Sequence, residues 1–172
     1  MKRMKTAAIV VFLLLATVSV LGQTKPAKSA MPKFEGTWVL VPEKSAGLTG
    51  ALSKAQIQLV VTQNDQQLTA DQKVIVRERE QPSQELVYKL DGSENQIEVV
   101  RPLAGTMKLK ARWIESTKTL ELLSSITGEN EGKPATISTQ EHWQLTGDTL
   151  KIVRNRKSPQ GIQTFKLVFQ KQ

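Results

Sequence analysis

The sequence predicts an all-β protein, in which an antiparallel up-and-down meander of about eight to ten strands closes into a barrel. From residue 34 onward, apolar and polar residues alternate with a period of two, and turn-forming residues interrupt the alternation. No stretch has apolar residues at the 3.6-residue spacing of an amphipathic helix. Short connections favour antiparallel pairing of consecutive strands, and closure would remove the exposed edges of so long a sheet.

The candidate strands are separated by turn signals such as Asp91-Gly92 and Gly147-Asp148. The segment 42–54 has the composition of a loop, with one helical turn near Leu52. We expect the last strand to return to the strand that begins at Phe34 and so to close the barrel. The predicted strands are 34–41, 56–63, 67–79, 84–90, 96–101, 106–114, 119–126, 135–146, 149–156 and 162–170.

The strand 106–114 shows its two faces most clearly. Alternate residues of a strand point to opposite sides of the sheet, so an apolar set and a basic set at alternate positions separate core from solvent. The core-facing set is Met107, Leu109, Ala111 and Trp113, and the solvent-facing set is Lys108, Lys110 and Arg112. Nucleic-acid binding would require aromatic residues among those cations, and none are there, so we expect no nucleic-acid partner.

The N-terminus has the composition of a secretory signal peptide over residues 1–22. Three basic residues precede an apolar run over residues 7–21, which Thr17 and Ser19 dilute, so we expect cleavage rather than a membrane anchor. Residues 23–33 then form a Pro/Lys/Ser linker, and residues 34–172 form the barrel domain. This division predicts an exported protein of the periplasm or the extracellular space.

The composition excludes several classes of site. The chain has no cysteine, which excludes disulfides, thiol catalysis and thioester-linked lipid, and it has one histidine. The formal charge of +8 falls to +5 without the predicted signal peptide, leaving 21 basic and 16 acidic residues. We find no nucleophile motif, phosphate loop or calcium loop, and therefore expect no enzyme activity, no cofactor and no metal site.

The hairpin around Gly147-Asp148 has a predictable register. A two-residue turn with glycine first suits type II′, which pairs Leu145 with Leu150 and Trp143 with Ile152 on an interior face. The same alternation directs Glu141, Thr139, Arg154 and Arg156 toward the interior or the barrel mouth. They either bind the polar head of an amphipathic ligand or form a structural salt bridge at the rim. His142 falls on the outward face, where we expect a solvated residue.

The segment Gly36-Thr37-Trp38-Val39-Leu40 with Lys44-Ser45 resembles the opening of a lipocalin-like, calycin-type family of small secreted bacterial proteins. Val41 departs from that pattern, in which asparagine is common at the same position. The resemblance implies a barrel that can enclose an apolar ligand, with Gly36 and Trp38 in structural roles. It also implies that an arginine of a late strand stacks on the tryptophan, and Arg154 and Arg156 are the candidates.

The leading hypothesis is a monomeric, non-enzymatic binding protein that holds a small apolar or amphipathic ligand inside the barrel. Two alternatives remain open: a filled barrel that acts through its surface as an envelope interaction or inhibitor module, and an unrecognised hydrolase. Large inward side chains could fill a small barrel completely, so the sequence leaves the choice open. The candidate ligand-binding residues are Arg154, Arg156, Glu141, Thr139, Trp113, Met107 and Trp143.

Overall fold

The computed structural model describes residues 30–130 and 132–172 of the chain. The predicted signal peptide (1–22) and residues 23–29 of the predicted linker lie outside the described residues. Within the two described ranges, no helix combines the length and the apolar character needed to cross a lipid bilayer.

In the described part of the chain, eleven antiparallel strands form one sheet. Short 3-10 turns cover Pro42–Lys44, Gly50–Lys54 and Glu115–Thr117, and the second contains Leu52, where the sequence predicts a helical turn. The strands are β1 (Gly36–Leu40), β2 (Gln56–Gln63), β3 (Gln67–Val76), β4 (Arg79–Glu80), β5 (Glu85–Lys89), β6 (Asn95–Val99), β7 (Gly105–Ile114), β8 (Thr119–Asn130), β9 (Lys133–Thr146), β10 (Thr149–Ser158) and β11 (Gly161–Lys171).

The sheet order confirms the predicted meander and the return of the last strand to the first. The strands follow β4-β3-β2-β1-β11-β10-β9-β8-β7-β6, and β5 pairs with β3. In the β1–β11 ladder, Trp38 lies opposite Lys171 and Leu40 lies opposite Phe169. The first and last strands are therefore neighbours, and the sheet curls into a barrel.

A seam between β5 and β6 interrupts the barrel. Among the described residues, no backbone ladder joins these two strands, since β5 pairs with β3 and β6 with β7. Two side-chain amides bridge the seam instead. Asn95 Nδ2 donates to the Val87 carbonyl oxygen at 2.8 Å, and Gln84 Nε2 donates to the Glu98 carbonyl oxygen at 3.3 Å. The predicted closure is thus correct at β1–β11 and incomplete at the seam.

The predicted strand 67–79 is wrong at its end. The strand β3 stops at Val76, and the chain turns back so that Val76 lies opposite Arg79 in β4. The two intervening residues, Arg77 and Glu78, have φ angles of 50° and 64°. Two consecutive residues at positive φ make a tight turn that the sequence hides, because this turn normally carries Asn-Gly or another glycine pair.

The predicted register of the β9–β10 hairpin is confirmed. Leu145 lies opposite Leu150, Trp143 opposite Ile152, Glu141 opposite Arg154 and Thr139 opposite Arg156. Gly147 has a φ of 55°, which a glycine adopts at no steric cost at the first central position of a type II′ turn. The local sequence therefore determines which side chains of these two long strands enter the barrel.

Alternation places an apolar set inside the barrel, as the sequence predicts for residues 106–114. Leu109 and Ala111 are buried, Met107 and Trp113 are half-buried, and Lys108 and Lys110 are exposed. Burial of large apolar side chains is the main stabilising contribution to such a fold. The fully buried large side chains include Phe34, Trp38, Trp143, Leu150, Ile152 and Phe169.

Candidate functional site

The barrel interior is filled near the Gly147-Asp148 turn, here called the closed end, and hollow toward the other, open end. Trp38, Leu150 and Phe169 are 0% exposed and pack the closed end. The open half contains a cavity of about 440 Å³. Its apolar lining includes Leu59, Val74, Leu86, Met107, Leu122, Ile126, Ile137 and Trp143, and its polar lining includes Gln72, Tyr88, Arg101, Ser124, Thr139, Glu141, Arg154 and Arg156.

Arg154 and Glu141 form an ion pair inside the barrel. Arg154 Nε donates to Glu141 Oε1 at 2.6 Å, and Arg154 Nη2 donates to Gln72 Oε1 at 2.7 Å. The second carboxylate oxygen of Glu141 accepts from Trp143 Nε1 at 2.6 Å. The side chains of Arg154 and Glu141 are only 23% and 13% exposed. Because each charge is neutralised by its partner, this pair orders the cavity wall and leaves little charge for a ligand.

Two arginines of the cavity lining, Arg101 and Arg156, have no ion-pair partner among the described residues, and Arg156 is the more buried of the two. Arg156 is therefore the candidate for binding charge inside the barrel. It lies opposite Thr139 in the β9–β10 ladder, lines the cavity and is half-buried. Among the described residues, none forms a hydrogen bond or ion pair with its guanidinium group. A partly desolvated guanidinium without a carboxylate partner favours binding of an anionic group, which its planar donors can hold in a bidentate manner.

Tyr88 lies in the same wall, on β5, and its pKa reflects both its burial and the nearby charges of Glu141 and Arg154. Burial raises the pKa of the Tyr88 phenol well above its usual range, and the nearby charge of Glu141 raises it further. The Arg154 guanidinium lowers it by less. The phenol therefore stays neutral, and it adds a polar contact to the cavity without adding charge.

The closed end is built around Trp38, which the resemblance places in a structural role. Trp38 Nε1 donates to the Phe34 carbonyl oxygen at 2.9 Å, and the Phe34 ring packs edge-on against Trp143 with ring centroids 6.0 Å apart. The cation over the Trp38 ring is Lys171, whose Nζ lies 5.3 Å from the ring centroid. The expectation that Arg154 or Arg156 stacks on Trp38 is therefore wrong, because both arginines lie in the open half.

The other predicted site residues divide between the cavity and its surroundings. Met107, Trp143 and Thr139 line the cavity together with Arg154, Arg156 and Glu141. Trp113 does not; it lies at the end of β7 near the closed end, next to Met31 and Leu90. Its indole N–H is buried without a hydrogen-bond partner among the described residues. The sequence correctly places Trp113 on the inward face but does not show how far along the strand the cavity extends.

Sequence reasoning missed an outward-facing cluster around Glu121 on β8. Its carboxylate is buried and accepts from Arg112 Nε at 3.0 Å and Gln140 Nε2 at 2.9 Å, and it lies 3.3 Å from His142 Nε2. Burial alone would raise the Glu121 pKa, but these three partners outweigh it and hold the pKa below its usual range. His142 faces outward, as predicted, but contacts Glu121 and is only 34% exposed.

The ladder register contains the signal for this cluster, since Arg112 pairs with Glu121 and Glu121 with His142. Within the described ranges, no group of three His, Asp or Glu side chains comes together as a metal site. Every oxygen of the Glu121 carboxylate has a partner within the sheet. The cluster therefore stabilises the outer face of β7–β9.

The comparisons with known proteins concern the fold. No family model matches the chain, and no curated protein matches it. The SAHS protein of Ramazzottius varieornatus superposes with a TM-score of 0.53 at 12% identity, over 81% of this chain and 95% of that one. Zebrafish ileal bile acid-binding protein, solved with cholic acid, superposes with a TM-score of 0.50 at 15% identity, over 81% of this chain and 98% of that one. The chain thus shares the barrel fold of these two proteins, as the resemblance implies.

Proposed function

We propose that the protein is a non-enzymatic carrier of a small amphipathic anion, bound in the open half of the barrel. The observation that carries this proposal is the unpaired Arg156 guanidinium inside a largely apolar cavity of about 440 Å³. Ligand sites of this kind combine apolar walls with a few fixed polar groups, and their volumes start at about 300 Å³. A carboxylate, sulfate or phosphate head would face Arg156.

The apolar part of the ligand would lie against the inward side chains of β7–β9. Met107, Ile126 and Ile137 line that wall, and Leu59 and Val74 line the wall across the cavity. The Arg154–Glu141 pair lies between the two groups and is already satisfied, so it sets the shape of the cavity rather than the affinity for charge. The neutral phenol of Tyr88 adds a hydrogen-bonding group near the same pair.

One of the fold neighbours supports a binding role. The zebrafish protein, whose barrel this chain shares, was solved with cholic acid, an amphipathic carboxylic acid. The carrier role also agrees with the cavity lining, where the one carboxylate is bound by Arg154 and Trp143 and is not available as a general base. Export to the periplasm or the extracellular space remains part of the proposal and rests on residues 1–22.

The experiment that tests the proposal compares two adjacent cations on opposite faces of β10. Arg156→Gln removes the inward cation, and Lys157→Gln removes an exposed outward one, so both variants have the same net charge. Titration with dodecanoate and with dodecanol is followed by isothermal calorimetry. We expect Arg156→Gln to weaken dodecanoate binding about tenfold to a hundredfold and to leave dodecanol binding unchanged, because only the first ligand carries a charge.

Equal dodecanoate affinity in the two variants would overturn the assignment of Arg156. Native mass spectrometry of the protein purified from its own host provides the second readout. A co-purifying mass of the size of a lipid or bile acid supports carriage, whereas a ligand-free protein that also fails to bind dodecanoate or dodecanol contradicts it.

A further inference from the structure

The outer face of β7–β11 can be derived row by row from the ladder registers. Residues that pair across successive strands lie in line across the sheet, and alternate residues point outward. We call the three rows obtained in this way the basic face. The first row is Lys108, Ser125, Ser138, Lys157 and Ile162; the second is Lys110, Leu123, Gln140, Asn155 and Thr164; the third is Arg112, Glu121, His142, Val153 and Lys166.

The charges on this face are strongly unbalanced. Its cations are exposed, and its one carboxylate, Glu121, is buried and bonded by Arg112. Glu94, at the neighbouring edge, lies 3.6 Å from Lys108 Nζ. Among the described residues, no carboxylate pairs with Lys110, Lys157 or Lys166. On the outer face of β3 and β5, by contrast, cations and carboxylates balance: Lys73, Lys89, Asp71 and Glu85.

Exposed apolar side chains concentrate on the same face. Five large hydrophobic residues are exposed in the described part of the chain, and three of them lie in these rows. Ile162 is 74% exposed beside Lys157, and Leu123 and Val153 are each 36% exposed. Single exposed apolar residues are ordinary, but three among lysines form an amphipathic surface.

A groove of about 540 Å³ crosses the first two rows. Lys108 and Lys110 lie on one side of it and Lys157 on the other, with Leu123 between them and Ile162 at the far edge. Strands are about 4.8 Å apart, so these lysines spread over roughly 14 Å, which is too far for one small anion to contact both sides. A surface that carries many anions matches this spacing.

We infer that the basic face docks on an anionic lipid bilayer. The lysines would lie at the headgroups, and Ile162, with Leu123 and Val153, would contact the boundary of the acyl chains. The rows contain no Trp, Tyr or Phe on which nucleic-acid bases could stack, which favours lipid over nucleic acid. The proposal does not depend on a ligand in the cavity, since its residues point away from the barrel interior.

The test uses the absence of cysteine in the full chain. An environment-sensitive fluorophore is attached to Ser125→Cys on the basic face or, as a matched control, to Thr62→Cys on the exposed outer face of β2. Residues 7–21 are largely apolar and could bring the whole chain to any vesicle. The position of the label therefore shows which face of the barrel contacts the membrane. Vesicles contain equal parts of phosphatidylglycerol and phosphatidylcholine, or phosphatidylcholine alone.

We expect a blue shift at residue 125 with the anionic vesicles only, and no such shift at residue 62. Replacing Lys108, Lys110 and Lys157 by glutamine should weaken the partition measured at residue 125 by about fivefold for each lysine. The control replaces Lys44, Lys73 and Lys89 by glutamine, which removes the same charge elsewhere and should leave the partition within about twofold. Circular dichroism checks that each variant is folded.

Three outcomes would overturn the proposal. The first is an equal response of the labels at residues 62 and 125. The second is an equal response to both kinds of vesicle. The third is a shift of the label at residue 125 by poly-L-glutamate as large as that by anionic vesicles, which would assign the face to an acidic protein partner. Loss of dodecanoate binding in Arg156→Gln, with vesicle binding intact, would separate this surface from the cavity.

Discussion

Lys171 and Trp38 meet at the closed end of the barrel, one on the last strand and one on the first. Lys171 Nζ lies 5.3 Å from the centroid of the Trp38 ring, and the two residues are directly paired in the β1–β11 ladder. Gly36 makes this possible, because a Cβ at that position would lie 2.6 Å from Lys171 Cε. A side chain at position 36 would therefore require the end of the Lys171 side chain to move.

The first prediction concerns this glycine. Gly36 has a φ of 133°, so Gly36→Ala should cost about 1–3 kcal/mol from backbone strain, in addition to displacing Lys171. Gly161→Ala is the matched control, since Gly161 has a φ of 117° and a Cβ added there would meet no atom within 4 Å, so this variant reports strain alone. Adding Lys171→Ala should recover part of the loss in Gly36→Ala and none in Gly161→Ala. Urea unfolding measures all four variants, and equal recovery in both pairs would contradict the contact.

The second prediction concerns the interior ion pair. Glu141→Ala should lower the free energy of unfolding by about 3–5 kcal/mol, because it leaves a mostly buried Arg154 guanidinium and the Trp143 N–H without their acceptor. The double variant Glu141→Leu with Arg154→Met should recover much of this loss, since no charge then remains unpaired. Chemical denaturation gives both values. If Glu141→Ala changes neither stability nor ligand retention, the pair has neither a structural nor a binding role.

The third prediction uses the single tyrosine of the chain. Burial holds the Tyr88 pKa above its usual value near 10, so the folded protein keeps the phenol protonated while the unfolded chain ionises. The contribution of Tyr88 to the free energy of unfolding is therefore fully present below about pH 10 and is lost as pH rises above it. We expect the ultraviolet absorbance of tyrosinate to appear only with unfolding, and Tyr88→Phe to lessen the alkaline loss. Tyrosinate that forms near pH 10 in a protein with native circular dichroism would contradict this.

The fourth prediction concerns the loss of stability at acid pH. The Glu121 pKa is held below its usual value, so its contribution to stability is present above about pH 4.5 and is lost as pH falls through the folded value. Glu121→Gln should lower the free energy of unfolding by about 1–3 kcal/mol at neutral pH, and the difference should shrink below about pH 4. Urea unfolding over a pH series measures it. A constant deficit in Glu121→Gln at all pH values would be inconsistent with the cluster.

The fifth prediction tests whether the cavity is the binding site. Ser124 lines the cavity, and Ser125, the next residue, points outward. Ser124→Phe should fill much of the space and weaken dodecanoate binding at least about tenfold, at a cost of about 1–3 kcal/mol in stability from crowding. Ser125→Phe should leave the affinity unchanged. Calorimetry compares the two, and unchanged binding in Ser124→Phe would place the ligand elsewhere.

Local patterns were sufficient to predict much of this fold. The β9–β10 register follows from a single turn, because Gly147 sets which side chains face each other over the whole hairpin. That register also brings Glu141 and Arg154 together, and it directs Arg156 and Thr139 into the cavity that the structure contains. Alternation alone divided β7 correctly into Leu109 and Ala111 inside and the lysines outside.

The register of long-range strand pairing could not be predicted from the sequence. Lys171 reaches Trp38 through the β1–β11 ladder, whose register no local signal sets, so the expectation named Arg154 and Arg156 instead. The turn at Arg77 and Glu78 lacks the glycine or asparagine that marks most such turns, and the strand 67–79 therefore looked continuous. The extent of the cavity depends on how side chains of seven strands pack together, which no single strand pattern contains.

At the β5–β6 seam, side-chain amides rather than a backbone ladder hold the barrel wall together. Elsewhere, widening the wall means breaking a ladder of backbone bonds, whereas here it means releasing the Asn95 and Gln84 side chains. The lining residues Gln84 and Leu86 belong to this border, so the wall can yield where it meets the cavity. Substitutions at these two positions can therefore change how far the seam opens while the backbone pairing of the barrel stays the same.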